Sequence, residues 1–253
     1  MSWQDRTIRL LGGEAVERLS VARVAVFGLG AVGSYAVEGL ARAGIGHFHL
    51  VDFDVFKPSN LNRQLHALHS TLGRPKAETA AERILDINPA AVVKAETAFA
   101  HSDTLDDLLG ERPDLVIDAV DSLAPKTEVI AAGASLGLTV FSAMGAATRL
   151  NPEAIRFAPI MTAIGCPLVR LVKKRLRRRR IEGDLWCVYS EERKNPDAVA
   201  LPEENREVED GEEYSRGRRR SILGSVSTIT GMFGLRLAHE AILRLAGITL
   251  PQT

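Results

Sequence analysis

Six residues constrain this chain more than any others. Gly28-Leu29-Gly30-Ala31-Val32-Gly33 follows the short apolar run 23–28 (RVAVFG) and opens a helical pattern that runs to the glycines at 44 and 46. Strand, glycine-rich turn and helix in that order form a phosphate cradle: glycine lets the backbone turn tightly and approach an anion, and the helix N-terminus presents N–H groups and a positive dipole end. Asp52 closes the next strand pattern, where a ribose hydroxyl needs an acceptor. Gly28, Gly30, Gly33 and Asp52 therefore bind a nucleotide, although the motif does not say which one. An NAD enzyme carries the same glycines and acid.

The remaining pattern says what sheet this turn sits in. Apolar runs at 47–54, 92–97, 115–121 and 139–146 alternate with helical patterns at 73–88 and 125–137. Alternation of this kind predicts an α/β chain with a Rossmann-like, doubly wound, mostly parallel sheet. Ligands bind such sheets beyond the C-terminal strand ends, where each motif named here falls. Three segments follow: an N-terminal helical arm at 1–22, a nucleotide-binding domain at 23–150, and a smaller helical, basic C-terminal extension at 151–253. Within the last, 191–220 has little apolar surface to bury and is expected to be mobile.

Composition removes several function classes. The 253 residues carry 32 Lys+Arg against 32 Asp+Glu, so net charge selects neither a nucleic-acid nor a membrane partner. The two cysteines, Cys166 and Cys187, form no CxxC pair, so neither a four-ligand zinc site nor a disulfide framework is expected, and a reducing, cytoplasmic setting fits. The N-terminus has charges where a signal peptide needs an apolar core. The apolar stretch 221–235 is too short and interrupted to span a bilayer, and reads as a buried helix with one polar edge.

Further groups suit a triphosphate. The loop after Asp52 and Asp54 holds Ser59, Asn60, Asn62, Arg63 and Gln64, many side-chain donors plus a guanidinium that grips phosphate oxygens bidentately. Lys76 opens the following helix. A redox cofactor has no γ-phosphate and rarely needs these extra cations. The alternative is a solvated loop with an exposed Arg and Lys. Asp118 and Asp121 close the fourth strand, where a carboxylate holds Mg²⁺ between phosphates; Asp121 also suits capping of the next helix, with Ser122 and Lys126 nearby. His66 and His69 lack a third ligand and read as local packing or polar contacts.

Glycine turn, ribose acid, Arg/Lys pair and metal acid, in that order, resemble the ubiquitin-activating-enzyme-like superfamily, which includes the adenylyltransferases of molybdopterin and thiamine biosynthesis. GLGAVGSYAVEGLARAGIG, VDFDVFKPSNLNRQLHALHSTLGRPKAE and VIDAVDS carry the resemblance, over about residues 6–147. It implies ATP at Gly28, Gly30, Asp52, Ser59, Asn60, Arg63 and Lys76, with Mg²⁺ near Asp121. It also implies a homodimer in which an N-terminal arginine, Arg6 or Arg9, reaches the partner's site.

The C-terminal third, with CPLVRLVKKRLRRRR, WCVYSEE and GSVSTITGMFGLRLAHEAI, resembles the tRNA threonylcarbamoyladenosine dehydratase branch. That implies adenylation of the threonine carboxylate, then ring closure by a neighbouring nitrogen, next to the anticodon. Lys173, Lys174, Arg177, Arg178 and Arg180, with Arg218 and Arg219 of the RGRRR cluster, are the expected RNA contacts, because such cation density repels itself unless anions are near. Neutralisation by the acidic stretch 203–213 is the alternative. Cys187 is expected to line the substrate site or to be structural; a covalent role is the alternative. The branch also implies a link to a cysteine desulfurase system. An adenylyltransferase for the Gly-Gly tail of a sulfur-carrier protein is the runner-up function. An NAD-linked oxidoreductase and a non-catalytic scaffold fit the phosphate and metal groups less well.

Overall fold

The computed structural model describes residues 2–198 and 223–249. Seven strands make one sheet: β1 (Arg23–Phe27), β2 (His47–Val51), β3 (Val92–Glu96), β4 (Leu115–Asp118), β5 (Thr139–Ala143), β6 (Ile155–Pro159) and β7 (Leu185–Ser190), in the order β3-β2-β1-β4-β5-β7-β6. All neighbours are parallel except β6 and β7. The chain winds outward from β1 through β2 to β3, then returns to lay β4 on the other side of β1. A crevice therefore opens at the C-terminal ends of β1 and β4, the switch point at which such sheets bind ligands.

Strand alternation divides the core in two. Val24, Val26, Leu50, Leu115 and Ile117 face one layer, closed by α2 (Gly13–Val21), α3 (Gly33–Ala43), α4 (Lys76–Ile87) and the C-terminal helix α8 (Ser227–Ala246). Ala25, Phe27, Val116 and Val140 face the other, closed by α5 (Leu105–Leu108), α6 (Leu123–Ser135) and α7 (Pro167–Arg178). The central strands β1, β4 and β5 are buried on both faces, as a parallel sheet covered on both sides requires.

The N-terminal arm is two helices, not one: Gly12, at φ 90°, breaks it into α1 (Asp5–Leu11) and α2. α2 joins the core through Ala15, Val16 and Leu19, while α1 has no fully buried residue and touches the core only through half-buried Leu11. Strands stop earlier than their apolar runs, which leaves Asp52 and Asp121 in loops past the ends of β2 and β4. Beyond residue 150 the chain adds β7 to the parallel sheet and β6 antiparallel at its edge. Phe157 of β6 stacks on Trp186 of β7 at 5.3 Å.

α8 lies against α3 through small residues. A Cβ on Gly234 would fall 2.3 Å from the Val32 carbonyl oxygen, and one on Gly39 would fall 2.8 Å from the Ala238 Cβ. The last helix thus braces the helix that the glycine turn opens.

Candidate active site

The glycine turn is shaped by contacts across the switch point. Gly28 has φ 87°, and a Cβ there would sit 2.9 Å from the carbonyl carbon and oxygen of Ala119. A Cβ on Gly33 would lie 1.8 Å from the Gly28 oxygen. These two glycines let α3, β1 and the loop after β4 approach closely. Gly30 differs: a Cβ there meets only Gln64 Nε2, at 3.6 Å. The open face of the turn is at Gly30, where a phosphate would lie.

Asp52 organises this turn. Its carboxylate accepts hydrogen bonds from the backbone N–H of Leu29 (2.6 Å) and of Asp54 (2.9 Å). Burial pushes its pKa above the usual carboxylate range, opposed by the Lys76 charge and by these two N–H donors. Asp54 is paired with Lys76 Nζ at 3.1 Å, and Lys76 is 5% exposed. Asp54 therefore orients the cation rather than facing a nucleotide phosphate.

The loop 57–64 lies beside the turn. Ser34, the first residue after Gly33, donates from Oγ to the Gly30 oxygen (2.7 Å) and accepts from the Leu65 N–H (3.1 Å), tying loop to turn. Asn60 is buried and accepts from the Lys57 N–H. Arg63 donates to the Ser59 carbonyl (2.7 Å) and the Asn62 Oδ1 (2.8 Å). Burial lowers the Arg63 pKa and the Asp121 charge opposes the change, which places the guanidinium within electrostatic reach of Asp121. Gln64 is buried against Gly30, and its Oε1 has no hydrogen-bond partner. Asn62 Nδ2 donates to the Ser225 carbonyl, joining this loop to the segment before α8.

Asp118 and Asp121 separate sharply. Asp118, fully buried, accepts from Lys126 Nζ (2.6 Å), Ser142 Oγ (2.6 Å) and the Val120 N–H (3.1 Å). With its oxygens engaged inside the core, Asp118 is no metal ligand. Asp121 is exposed at the crevice, and the Ser122 hydroxyl donates to it at 3.2 Å. It does not cap α6, whose N-cap is Ser122 without a side-chain bond. Among the described residues no cluster of three or more His, Cys, Asp or Glu could hold a metal. A single carboxylate fits Mg²⁺, which commonly takes one or two protein carboxylates and completes its shell with phosphate and water.

Several expected residues lie elsewhere. Cys187 is fully buried in the core, in contact with neither solvent nor crevice, and burial pushes its thiol up to about 12. That is a packing cysteine, neither a nucleophile nor a substrate-lining group. Cys187→Ala should keep turnover, at a stability cost of about 1 kcal/mol; a large loss of turnover at unchanged stability would contradict this. Arg6 and Arg9 are exposed on α1. Gln4 sits against Gly44, at the far end of α3 from the glycine turn, about 16 Å along eleven helical residues. Neither arginine reaches the turn of its own chain.

On α7, Arg170, Lys174, Arg177 and Arg178 are exposed, as is Arg180 just beyond it. Lys173 instead donates to the Ala163 carbonyl, and Arg179 pairs bidentately with Glu128 at 2.7 and 3.0 Å. Arg218, Arg219, the acidic stretch 203–213 and most of the segment expected to be mobile lie outside the described residues. The hydrogen bonds made by Ser34, Lys126 and Ser142 emerge only in three dimensions.

His66 and His69 do not share a site. His69 is exposed, whereas His66 is buried with both ring nitrogens lacking a partner. Burial lowers its pKa from 6.5 to about 4. The unfolded chain then binds a proton that the folded chain refuses, so stability falls as pH drops from about 6.5 to 4, and this contribution levels off below. The change should approach about 2–3 kcal/mol between pH 7 and pH 4. Urea midpoints across that range should show it, and His66→Leu should remove that part of the slope. An identical slope in the variant would contradict the assignment.

Fold and site together define a doubly wound α/β protein with a glycine turn, a buried lysine and an exposed acid at the switch point of the sheet. The chain belongs to the ThiF family, whose model matches residues 4–253. It is 37% identical to the tRNA threonylcarbamoyladenosine dehydratase of Bacillus subtilis over 182 residues, 72% of each protein. It is 32% identical to the enzyme of that name from Escherichia coli over 258 residues, covering 96% of this chain and 94% of that one. The crystal structure of the E. coli dehydratase in complex with ATP superposes with a TM-score of 0.82 at 29% identity, covering 97% of this chain and 95% of that one.

Proposed function

We propose that this chain is an ATP-dependent tRNA threonylcarbamoyladenosine dehydratase. What supports the proposal is that Gly30 lies on the turn after β1, Arg63 on the loop after β2, Lys76 at the start of α4 and Asp121 on the loop after β4, around the switch point of the sheet, with a cationic helix on the same chain. Asp52 holds the turn, and its remaining acceptor capacity suits a ribose hydroxyl. Lys76 and Arg63 offset charge on the β- and γ-phosphates, and Ser59, Asn60, Asn62 and Gln64 supply polar contacts around them. Asp121, with Ser122 beside it, would hold Mg²⁺, which would supply positive charge to the phosphates.

The substrate's threonine carboxylate attacks the α-phosphorus, and pyrophosphate departs. The mixed anhydride makes AMP the leaving group at the acyl carbon. The neighbouring carbamoyl nitrogen then closes the ring, releasing AMP and losing its proton to solvent. The net change is loss of one water, with ATP converted to AMP and pyrophosphate. Because the second step is intramolecular, high effective molarity replaces an external nucleophile such as Cys187.

Arg170, Lys174, Arg177, Arg178 and Arg180 give the RNA backbone an exposed cationic face; Arg218 and Arg219, expected RNA contacts, lie outside the described residues. Each phosphate contact adds to the salt dependence of binding. The chain acts as a homodimer in the cytoplasm, with Arg6 or Arg9 reaching the partner's crevice, and a cysteine desulfurase system is a candidate partner. Among the described residues no helix is long and apolar enough to cross a membrane.

The sulfur-carrier adenylyltransferase shares the first step but not the acceptor, so ATP–pyrophosphate exchange separates the two. Exchange should be stimulated by tRNA bearing threonylcarbamoyladenosine and not by a Gly-Gly-tailed carrier protein. Stimulation by the carrier alone would overturn the proposal.

A further inference from the structure

The loop after β5 holds two side chains that the site described above does not use. Arg149 is 3% exposed, and its Nε, Nη1 and Nη2 all lack a hydrogen-bond partner. The Oγ1 of Thr148, also 3% exposed, lacks one too. A guanidinium is charged at any working pH, so burying one without an anion is strongly unfavourable. The nearby acid is already engaged: the Glu192 carboxylate accepts from the backbone N–H groups of Leu150 and Asn151. Thr148 itself has φ 65°, a left-handed conformation that a β-branched residue rarely adopts, and such positions concentrate at ligand clamps.

This pair sits one link from the nucleotide loop. The Thr148 N–H donates to the Gly224 carbonyl at 2.8 Å, and the Asn195 N–H donates to the Thr148 carbonyl at 3.2 Å. The next residue along, Ser225, accepts from Asn62. Asn62 in turn accepts from Arg63. The backbone of Thr148 is therefore linked through Gly224 and Ser225 to the loop that carries Asn62 and Arg63.

We propose that Thr148 and Arg149 form an oxyanion subsite for the carboxylate that is to be adenylated, resting on the function proposed above. A planar guanidinium takes a carboxylate through two parallel N–H···O bonds, and the threonine hydroxyl adds a third donor. Arg149 is a substrate-binding residue here, distinct from the cations that hold ATP.

The test combines steady-state kinetics on tRNA bearing threonylcarbamoyladenosine, calorimetric ATP binding and thermal unfolding. It compares wild type with Arg149→Met, Arg149→Gln and Arg149→Lys. Arg149→Met should raise the KM for modified tRNA about ten- to hundredfold, the effect of removing a charge-assisted hydrogen bond. It should leave the ATP Kd unchanged and raise the Tm, because an uncompensated buried charge has become an apolar side chain of similar length. Arg149→Lys should recover part of the KM. Should the methionine variant not fold, Arg149→Gln should show the same KM shift. An unchanged KM with a lowered Tm would make Arg149 a packing residue. A raised ATP Kd would assign it to the nucleotide phosphates, and equal loss of binding to unmodified tRNA would assign it to the RNA backbone; each result overturns the carboxylate subsite. A wild-type protein that leaves the nucleoside intact would sink the function itself, whereas an active wild type with unaffected Arg149 variants would sink only the subsite.

Discussion

Lys126→Met is expected to cost about 3–5 kcal/mol of stability, a large share of the about 5–15 kcal/mol that holds a domain together. The reason is what remains behind. Asp118 keeps its Ser142 and Val120 hydrogen bonds but loses the only cation paired with it among the described residues, in a fully buried site. An unpaired buried carboxylate must either stay charged at high cost or take up a proton. Neither outcome preserves the present geometry at the root of the loop that carries Asp121. Neutralising both partners should recover part of the loss, so the double variant Lys126→Met/Asp118→Asn should be at least as stable as Lys126→Met alone. Urea midpoints for the two singles and the double close the cycle. Additive losses with no recovery would show that the ion pair is not the coupled unit described here.

The second large effect belongs to Gly33. An alanine there would place its Cβ 1.8 Å from the Gly28 carbonyl oxygen and 3.3 Å from the Ala119 Cβ. The first is backbone fixed by β1, so the added carbon cannot be accommodated without moving α3 off the sheet. Gly33→Ala should lose at least about 3 kcal/mol, the upper part of the overpacking range, and with it nucleotide binding. Gly30→Ala makes the contrast. Its Cβ would meet only the Gln64 amide at 3.6 Å, an ordinary contact. That variant should unfold within a few degrees of wild type yet bind ATP more weakly, because the new carbon occupies the open face of the turn. Thermal unfolding with and without ATP separates the cases. Equal destabilisation by both substitutions would mean that the two glycines do not divide packing from binding.

The parts of this site that are legible in the sequence are those fixed by local spacing. Strand, glycine turn and helix are contiguous, Asp52 ends the next apolar run, and Arg63 and Lys76 follow within one loop and one helix start. The alternation of apolar runs and helical periods likewise shows the parallel sheet. What stays hidden depends on distant chain segments meeting. Asp118 and Lys126 are eight residues apart, and only the turn from β4 into α6 aims one at the other, with Ser142 arriving from β5. Arg149 sits in no motif, and its significance lies in having no partner, which only a packed structure reveals.

β6 was within reach of pattern reading. Ile155-Arg156-Phe157-Ala158-Pro159 alternates apolar and polar at its start, but the run is short and ends in proline, which suits only an edge strand. For Cys187 the sequence leaves a structural and a substrate-lining role open, and burial selects the structural one. In sequence it stands in the apolar run LWCVY after the basic segment; in the sheet it is an inward position of β7, opposite Ser142 of β5. Its thiol packs in the core, and chemistry is left to groups at the strand ends.

Mass spectrometry of tRNA nucleosides tests the central claim most directly. tRNA bearing threonylcarbamoyladenosine is incubated with the protein, ATP and Mg²⁺, then digested to nucleosides. The account predicts that this nucleoside loses the mass of one water only when ATP is present, with AMP formed alongside, and that Asp121→Ala abolishes the change while remaining folded. An unaltered nucleoside with active, folded wild-type protein would contradict it.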